Sequence, residues 1–448
     1  MSHYKPYPAY KDSGVEWIGQ VPEHWQVKRL KHLISQCQNG VWGDDPLEDG
    51  SDTLCIRVAD FDRDNNVVIY NPSTYRQITK EHQDSRLVSK GDILLEKSGG
   101  GAQTLVGANV RYLGEEPAVC SNFVAVIKPS KMAESAWLNY LMASMYALKI
   151  NLRSIKQSTG IQNLDSEQYL DEGVAAPSLD EQATIAATLD RETARIDALI
   201  QKKTRFIDLL KEKRQALITH AVTKGLDPNA KMKDSGVEWI GQVPEEWLNR
   251  KVFHAFQAIG SGTTPPSKEH EWYQGGTIPW ITTSELRENT VVKTKKCVTS
   301  DAMQKFSALK IFPAGSLAIA MYGATIGRLG FLGIPATTNQ ACCVLSGERD
   351  LNIQFLYYWL MAFRANIVAF FSEGGGQPNI NQEVIASLRV PSPAPDEQAT
   401  IVATLDRETA RIDALISKAE QSITLLKERR AAFITAAVTG QIDLRGKQ

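Results

Sequence analysis

The chain carries one helix-forming stretch twice, and that repetition restricts its fold more than any other feature. DEQATIAATLDRETARIDALI occupies 180–200 and DEQATIVATLDRETARIDALI occupies 396–416, matching at 20 of 21 positions with only Ala186 changed to Val402. A second repeat precedes each copy. KDSGVEWIGQVPEHW at 11–25 returns as KDSGVEWIGQVPEEW at 233–247, matching at 14 of 15 positions. The offsets, 216 and 222 residues, are close to half of the 448-residue chain, so the chain is a tandem duplication of one unit. Its order is short motif, variable block, long helix, then the same three again. The implied boundaries are 1–177 for the first block with its motif, 178–225 for the first long helix, 226–393 for the second block and 394–448 for the second long helix.

The variable blocks keep faint kinship. SNFVAV (121–126) aligns with TNQACCV (338–344), setting Asn122 against Asn339. STGIQNLD (158–165) aligns with GGQPNINQ (375–382), setting Asn163 against Asn379, and IRVADF (56–61) aligns with ITTSEL (281–286). The blocks are expected to share a fold and to differ in the residues that decorate it.

Neither Gly nor Pro occurs from Leu179 to Lys224. Ser178 and Glu181 form an S-x-x-E capping box, Pro395 suits a first helical position, and Gly225 and Gly440 supply the stops. Each helix of about 45 residues spans roughly 65 Å at ~1.5 Å per residue. Apolar residues recur every 3.5 positions on average. Leu189, Ile196, Leu210 and Leu217 form one row, and Ile185, Leu199 and Phe206 the other. Leu405, Ile412, Leu426 and Phe433 match the first row, and Ile401 and Leu415 the second. This is a coiled-coil seam. A globular block separates the helices, so antiparallel pairing with a pseudo-two-fold is the simplest arrangement. The copies also match at Asp190, Arg191, Glu192, Thr193, Arg195 and Asp197, against Asp406, Arg407, Glu408, Thr409, Arg411 and Asp413. A seam does not dictate those residues. They suggest two equivalent patches for two copies of one partner, with Arg191, Glu192, Arg195, Arg407, Glu408 and Arg411 as the contact candidates.

Hydrophobic residues make up 43% of the chain and charged residues 23%, the profile of a folded soluble protein. No apolar run reaches the ~18 residues of a membrane span, and the N-terminus lacks the apolar core of a secretory signal. The six cysteines show no metal-ligand spacing and read as thiols in a reducing cytoplasm. Formal net charge is -1, so bulk electrostatics give no sign of nucleic-acid binding. The blocks differ, however. Residues 26–177 hold 16 Lys and Arg against 19 Asp and Glu, whereas residues 248–394 hold 13 against 9.

Within the blocks, GDILLE (91–96) and GSLAIAMYG (315–323) read as buried strands, and 134–150 and 352–371 as amphipathic helices under a core. The architecture is therefore mixed α/β (α+β). Catalytic look-alikes fail on inspection. SGGGAQTLVG (98–107) lacks the lysine of a phosphate loop, and DFDRDNN (60–66) lacks the glycine and glutamate of a calcium loop, leaving an Asp-rich turn. Cys342 and Cys343 are adjacent and suit core packing. His24 becomes Glu246 in the repeat, against a shared catalytic role. No catalytic residue and no metal site is assigned. Polar, glycine-bearing loops remain: EKSGGG (96–101), STGIQN (158–163), YGATIGR (322–328), TTNQ (337–340) and GGGQPNIN (374–381). Asn and Gln read adenine edges, Arg and Lys read guanine, and Gly lets backbone approach phosphate.

The whole arrangement resembles the DNA-specificity subunit of type I restriction–modification systems. The resemblance rests on two variable blocks alternating with two repeated helices, and on the PSLDEQATIAATLD and PAPDEQATIVATLD helix starts. The GVEWIGQVPEHW motif, TTNQ and GGQPNIN add to it. It implies two target-recognition domains, each reading one half of a split double-stranded DNA target. It implies helices that set the spacing and dock two modification subunits. Those subunits carry the adenine methyltransferase chemistry and S-adenosylmethionine, and the resemblance admits two motor-nuclease restriction subunits that use ATP and Mg2+. The chain itself would be non-catalytic, cytoplasmic and free of cofactors. The loops supply the DNA-contact candidates: Arg57, Lys97, Ser98, Asn122, Gln162 and Asn163 in the first block, and Thr282, Thr283, Tyr322, Arg328, Asn339, Gln340 and Asn379 in the second. A coiled-coil adaptor without DNA readout and a self-sufficient DNA-modifying enzyme are the rival readings.

Overall fold

The computed structural model describes residues 4–100, 104–158, 160–372 and 379–446. Of the loops singled out above, residues 101, 159 and 374–378 lie outside the described residues. The chain divides into two units, Met1–Lys203 with Gln421–Gln448, and Thr204–Glu420. Each unit therefore combines one block with a portion of both long helices.

In the first unit a six-stranded sheet runs in the order Ile34–Asn39, Val124–Pro129, Ile93–Glu96, Asn109–Arg111, Val67–Val68, Phe61–Asp62. Its central strands are buried on both faces, and alternate residues serve different cores. Ile93, Leu95 and Ile127 join Trp137, Leu138 and Leu141 of the helix Ser135–Ala147. Leu94, Val124 and Val126 face the other way, onto Leu54 and Ile56 of a three-stranded sheet. The second unit repeats the plan with five strands, Phe256–Ser261, Cys342–Glu348, Leu317–Ala320, Leu329–Leu332 and Asn289–Val291. Leu317, Ile319, Cys343 and Leu345 pack with the helix Ile353–Phe371, while Ala318, Ala320, Cys342 and Val344 pack with Ile281. Cys342 and Cys343 thus point to opposite faces of one strand as core residues. Burial pushes the Cys343 thiol up to about 12. The aspartate-rich 60–66 stretch is a hairpin turn between Phe61–Asp62 and Val67–Val68, with Asp62 accepting from the Asn65 amide at 3.1 Å. Among the described residues, no helix is long and apolar enough to cross a membrane.

The long helices span Leu179–Lys224 and Pro395–Val438, 46 and 44 residues. Both end on left-handed glycines, Gly225 at φ 72° and Gly440 at φ 76°. Within each unit the helix portions run antiparallel. In the first, Arg445 lies 3.8 Å from Glu181 and Arg430 lies 3.1 Å from Asp197. In the second, a Cβ on Gly225 would sit 3.1 Å from Glu397, and Arg214 lies 3.2 Å from Asp413. Within each unit the short repeated motif packs on the start of a long helix. Trp25 and Trp247 are buried, and their indole N–H groups donate to Glu181 and Glu397 at 3.2 and 3.3 Å.

Two expectations about the helices need correction. The capping box is only half made: the Glu181 amide donates to Ser178 Oγ at 3.4 Å, but the Glu181 carboxylate accepts from Tyr7 and Trp25 and meets His24 at 2.9 Å. Block packing outcompetes the local cap. The second row of the seam is not buried along its length. Ile185 and Ile401 are fully covered, whereas Leu199, Phe206 and Leu415 are 47%, 46% and 39% exposed. The cover at Ile185 and Ile401 comes from the block cores, which grip the first turns of each helix. Further along, Thr193 and Ile207, and Thr409 and Ala419 in the other copy, are buried in place of Leu199, Phe206 and Leu415.

Candidate nucleic-acid interface

At one end of each sheet, loops from distant parts of the block are fastened by the same backbone bonds. In the first block the Ser121 amide donates to the Ile56 carbonyl at 2.9 Å, and the Val124 amide to the Ser121 carbonyl at 2.9 Å. In the second, the Asn339 amide donates to Ile281 at 3.0 Å, and the Cys342 amide to Asn339 at 3.3 Å. Leu164 donates to Lys97 at 2.8 Å, as Ile380 does to Met321 at 2.9 Å. Ser98 pairs with Asn163, as Tyr322 pairs with Asn379. One-turn helices follow the strands Thr53–Ile56 and Ile278–Ile281, and each is capped by its own acid. The Arg57 amide donates to Asp60 and the Thr282 amide to Glu285, both at 2.8 Å. A glycine lets the next loop pass over this frame. A Cβ on Gly40 would fall 2.0 Å from the Cys120 carbonyl oxygen, and one on Gly262 1.8 Å from that of Thr338.

These bonds fix which residues correspond. Asn163 does correspond to Asn379. Asn122 does not correspond to Asn339: the strand ladder sets Ser121 against Asn339 and Asn122 against Gln340. Sequence alignment slid by one position because an Asn-to-Asn match outweighs a backbone register that residue types do not encode. The corresponding rim positions are therefore Arg57/Thr282, Ser98/Tyr322, Ser121/Asn339, Asn122/Gln340 and Asn163/Asn379. One backbone frame carries two different sets of side chains.

The candidates are unequal in what they offer. Asn122 and Gln340 are exposed, with Gln340 accepting from Thr264 at 2.6 Å. Tyr322 is 40% exposed, and Thr283 and Arg328 are half-buried. Lys97 donates to Asn39 at 2.7 Å, Ser98 donates to Asn163 at 2.6 Å, and Thr282 donates to the Glu285 carboxylate at 3.1 Å. One candidate is corrected to a framework role. Gln162 is 7% exposed and accepts from the Val106 amide at 3.2 Å, so it faces the loop interior rather than solvent. Asn339 is half-buried, its amide serves the frame, and its side-chain oxygen is buried without a bond among the described residues.

The repeated helix residues also sort themselves. Asp190 and Thr193 have a use within the unit: the Tyr140 hydroxyl donates to Asp190 at 2.7 Å and lies 3.4 Å from Thr193. Tyr358 makes the same pair with Asp406 at 2.6 Å and Thr409 at 3.4 Å. Burial raises both phenols well above their ordinary range. Gln182 accepts from the Glu134 amide at 2.8 Å, and Gln398 from the Asn352 amide at 2.7 Å. Asp197 and Asp413 pair with Arg430 and Arg214. These matched residues are block anchors and helix clamps. Arg191, Arg195, Arg407 and Arg411 are exposed, and Glu192 and Glu408 lie half-buried beside them.

Residue patterns alone did not single out Trp42, Phe123 and Ile161. They are 38%, 49% and 51% exposed and line a hollow of about 610 Å³ with Arg57, Ser98 and Asn122. Large apolar side chains left in solvent beside polar loops were the available signal. Glu96 closes the floor of that hollow. Burial raises its carboxyl above the usual range, and Arg63, at 2.8 Å, opposes the shift.

Comparison with known proteins gives a consistent answer. The family described as type I restriction modification DNA specificity domain matches twice, over residues 22–207 and 244–425. The type I restriction enzyme MjaIX specificity subunit of Methanocaldococcus jannaschii is 29% identical over 37% of this chain, and the alignment spans 38% of that relative's length. The MjaVIII specificity subunit of the same organism is 24% identical over 95% of each chain. A solved chain from the type I R-M system superposes with a TM-score of 0.72 at 16% identity, over 96% of this chain and 99% of its own, and so shares the fold.

Proposed function

The chain belongs to the type I restriction modification DNA specificity family, and from that membership we propose that it is the DNA-reading subunit of a type I restriction–modification complex. Each block reads one half of a bipartite target, and the two half-sites differ. The observation that carries this reading is the shared loop frame with unlike rim residues, Arg57 against Thr282, Ser98 against Tyr322 and Asn122 against Gln340. A common frame presents side chains at one geometry, and the side chains then choose the bases.

The long helices dock two adenine-methyltransferase subunits. Exposed Arg191, Arg195, Arg407 and Arg411, with the apolar Leu199 and Leu415 at equivalent positions, support that role. The methyltransferase subunits bring S-adenosylmethionine. Restriction subunits, where they join, bring ATP- and Mg2+-dependent motor and nuclease activity. The complex works in the cytoplasm. With a net charge of -1, the chain alone binds DNA weakly, and much of the phosphate neutralisation comes from its partners.

The test is to express the chain with its methyltransferase partner in a host lacking such systems and to map methylated adenines by long-read sequencing. A split motif with two different half-sites is expected. Methylation without sequence preference would reduce the chain to an adaptor. Methylation by the chain alone would make it an enzyme in its own right.

A further inference from the structure

We propose that Arg57 reads a guanine in the half-site bound by the first block, an assignment that rests on the DNA-reading function above. Arg57 stands at the start of the one-turn helix Val58–Asp60, directly after the strand Thr53–Ile56. Asp60 is 3% exposed and is itself fixed by the Arg57 amide at 2.8 Å. Its two carboxylate oxygens lie 3.4 Å from Nε and Nη2 of Arg57. The guanidinium is therefore steadied from the protein side, while the side chain remains 41% exposed toward the hollow. A planar fork held in this way presents its remaining N–H groups at a set angle, the requirement for bidentate donation to guanine O6 and N7.

The surroundings favour a base over a phosphate. Among the described residues lining the hollow, Arg57 is the one cation, and Trp42, Phe123 and Ile161 form an exposed apolar rim. Phosphate tracking calls for several free cations along an open surface. The neighbouring guanidinium of Arg76 stacks 4.7 Å over Trp42 and is paired with Asp45 at 2.8 Å, so Arg57 is left as the cation facing the hollow, which suits one edge-on contact. Glu96, the carboxylate in the same hollow, is engaged by Arg63 at 2.8 Å, and among the described residues it makes no bond to Arg57. The second block carries Thr282 in the equivalent place, held by Glu285 at 2.8 Å. A hydroxyl cannot make the two-pronged guanine contact, so this position separates the two half-sites.

The experiment uses the assembled complex with its methyltransferase partner. Methylation rates are measured on duplexes carrying each base pair at every target position, with 7-deazaguanine placed at each guanine in turn. For the wild type, one guanine should be preferred roughly 5- to 150-fold, the range of one bidentate pair. Removing N7 from that guanine alone should lower the rate. Arg57→Ala should abolish both the preference and the 7-deazaguanine effect at that position, leaving the other half-site unchanged. Arg57→Lys should keep a reduced guanine preference. The proposal is overturned by half-sites without a G·C pair, by no sensitive N7, or by an N7 effect that persists in both variants. The deaza substitution is read on the wild-type protein, so instability of a variant does not blunt it. A wild-type complex with no base preference anywhere would instead sink the DNA-reading function.

Discussion

At the scale of single residues, polar groups shared by the two halves do more structural than surface work. Tyr140 and Tyr358 each tie a block to a long helix through one aspartate and one threonine. Tyr140→Phe removes a hydrogen bond to a charged acceptor while keeping the ring, and the first block should lose about 1–2 kcal/mol of stability. Tyr358→Phe should cost the second block a similar amount. Urea unfolding of each variant reads this, and unchanged midpoints would mean that Asp190 and Asp406 are satisfied by water alone. Glu96 supplies a pH-dependent counterpart. Burial raises its carboxyl pKa in the folded state, so the folded chain holds that proton more tightly than the unfolded chain does. Stability from this group is then greatest at acid pH and falls as pH rises from about 4 through the folded-state value. Glu96→Gln should remove that fall, measured as urea midpoints across pH 4–7. An unaltered slope would assign the effect to another group, such as Asp92, whose carboxyl is also raised by burial.

At the scale of elements, cations on the second block lie beside the one-turn helix that Thr282 opens. Lys293, Lys295 and Lys296 are exposed, and the Lys295 amide donates at 2.8 Å to Glu285, the residue that holds Thr282. If DNA lies over this rim, these lysines meet phosphates. Replacing all three by Gln should flatten the dependence of log K on log salt by up to ~2.7 for the assembled complex. It should weaken good and poor targets alike, and an unchanged slope would remove the tract from the interface. The elements themselves were largely legible. Continuous apolar runs marked Ile93–Glu96 and Leu317–Ala320, and glycines marked both helix stops. Register was not legible. Ser121 rather than Asn122 corresponds to Asn339, because hydrogen-bond ladders between segments some sixty residues apart in sequence decide it. Nor could composition tell Gln162, buried against Val106, from exposed Asn122 in the same rim. Seam periodicity overstated burial at Leu199 and Phe206, since 3.5-residue spacing says which residues share a face and not what covers it.

At the scale of the whole molecule, seating the blocks accounts for part of what is written twice. Each half needs the same motif tryptophan, the same glutamine hook and the same tyrosine clamp to seat its block, so those residues recur while the rim varies. The long helices are 46 and 44 residues of uninterrupted helix. On the proposed function their length sets the unread spacer between half-sites, and that can be changed without touching either rim. Inserting seven residues after Lys202 and seven after Lys418, equivalent positions in the two copies, keeps the apolar row in phase. Each helix lengthens by ~10 Å, about three base pairs at ~3.4 Å per step. Long-read methylation mapping of a host expressing this variant with its methyltransferase should return the same two half-sites with a spacer longer by about three base pairs. Altered half-sites would mean that the helices shape the reading loops as well as space them. An unaltered spacer would mean that the partner subunits, rather than this chain, measure the distance.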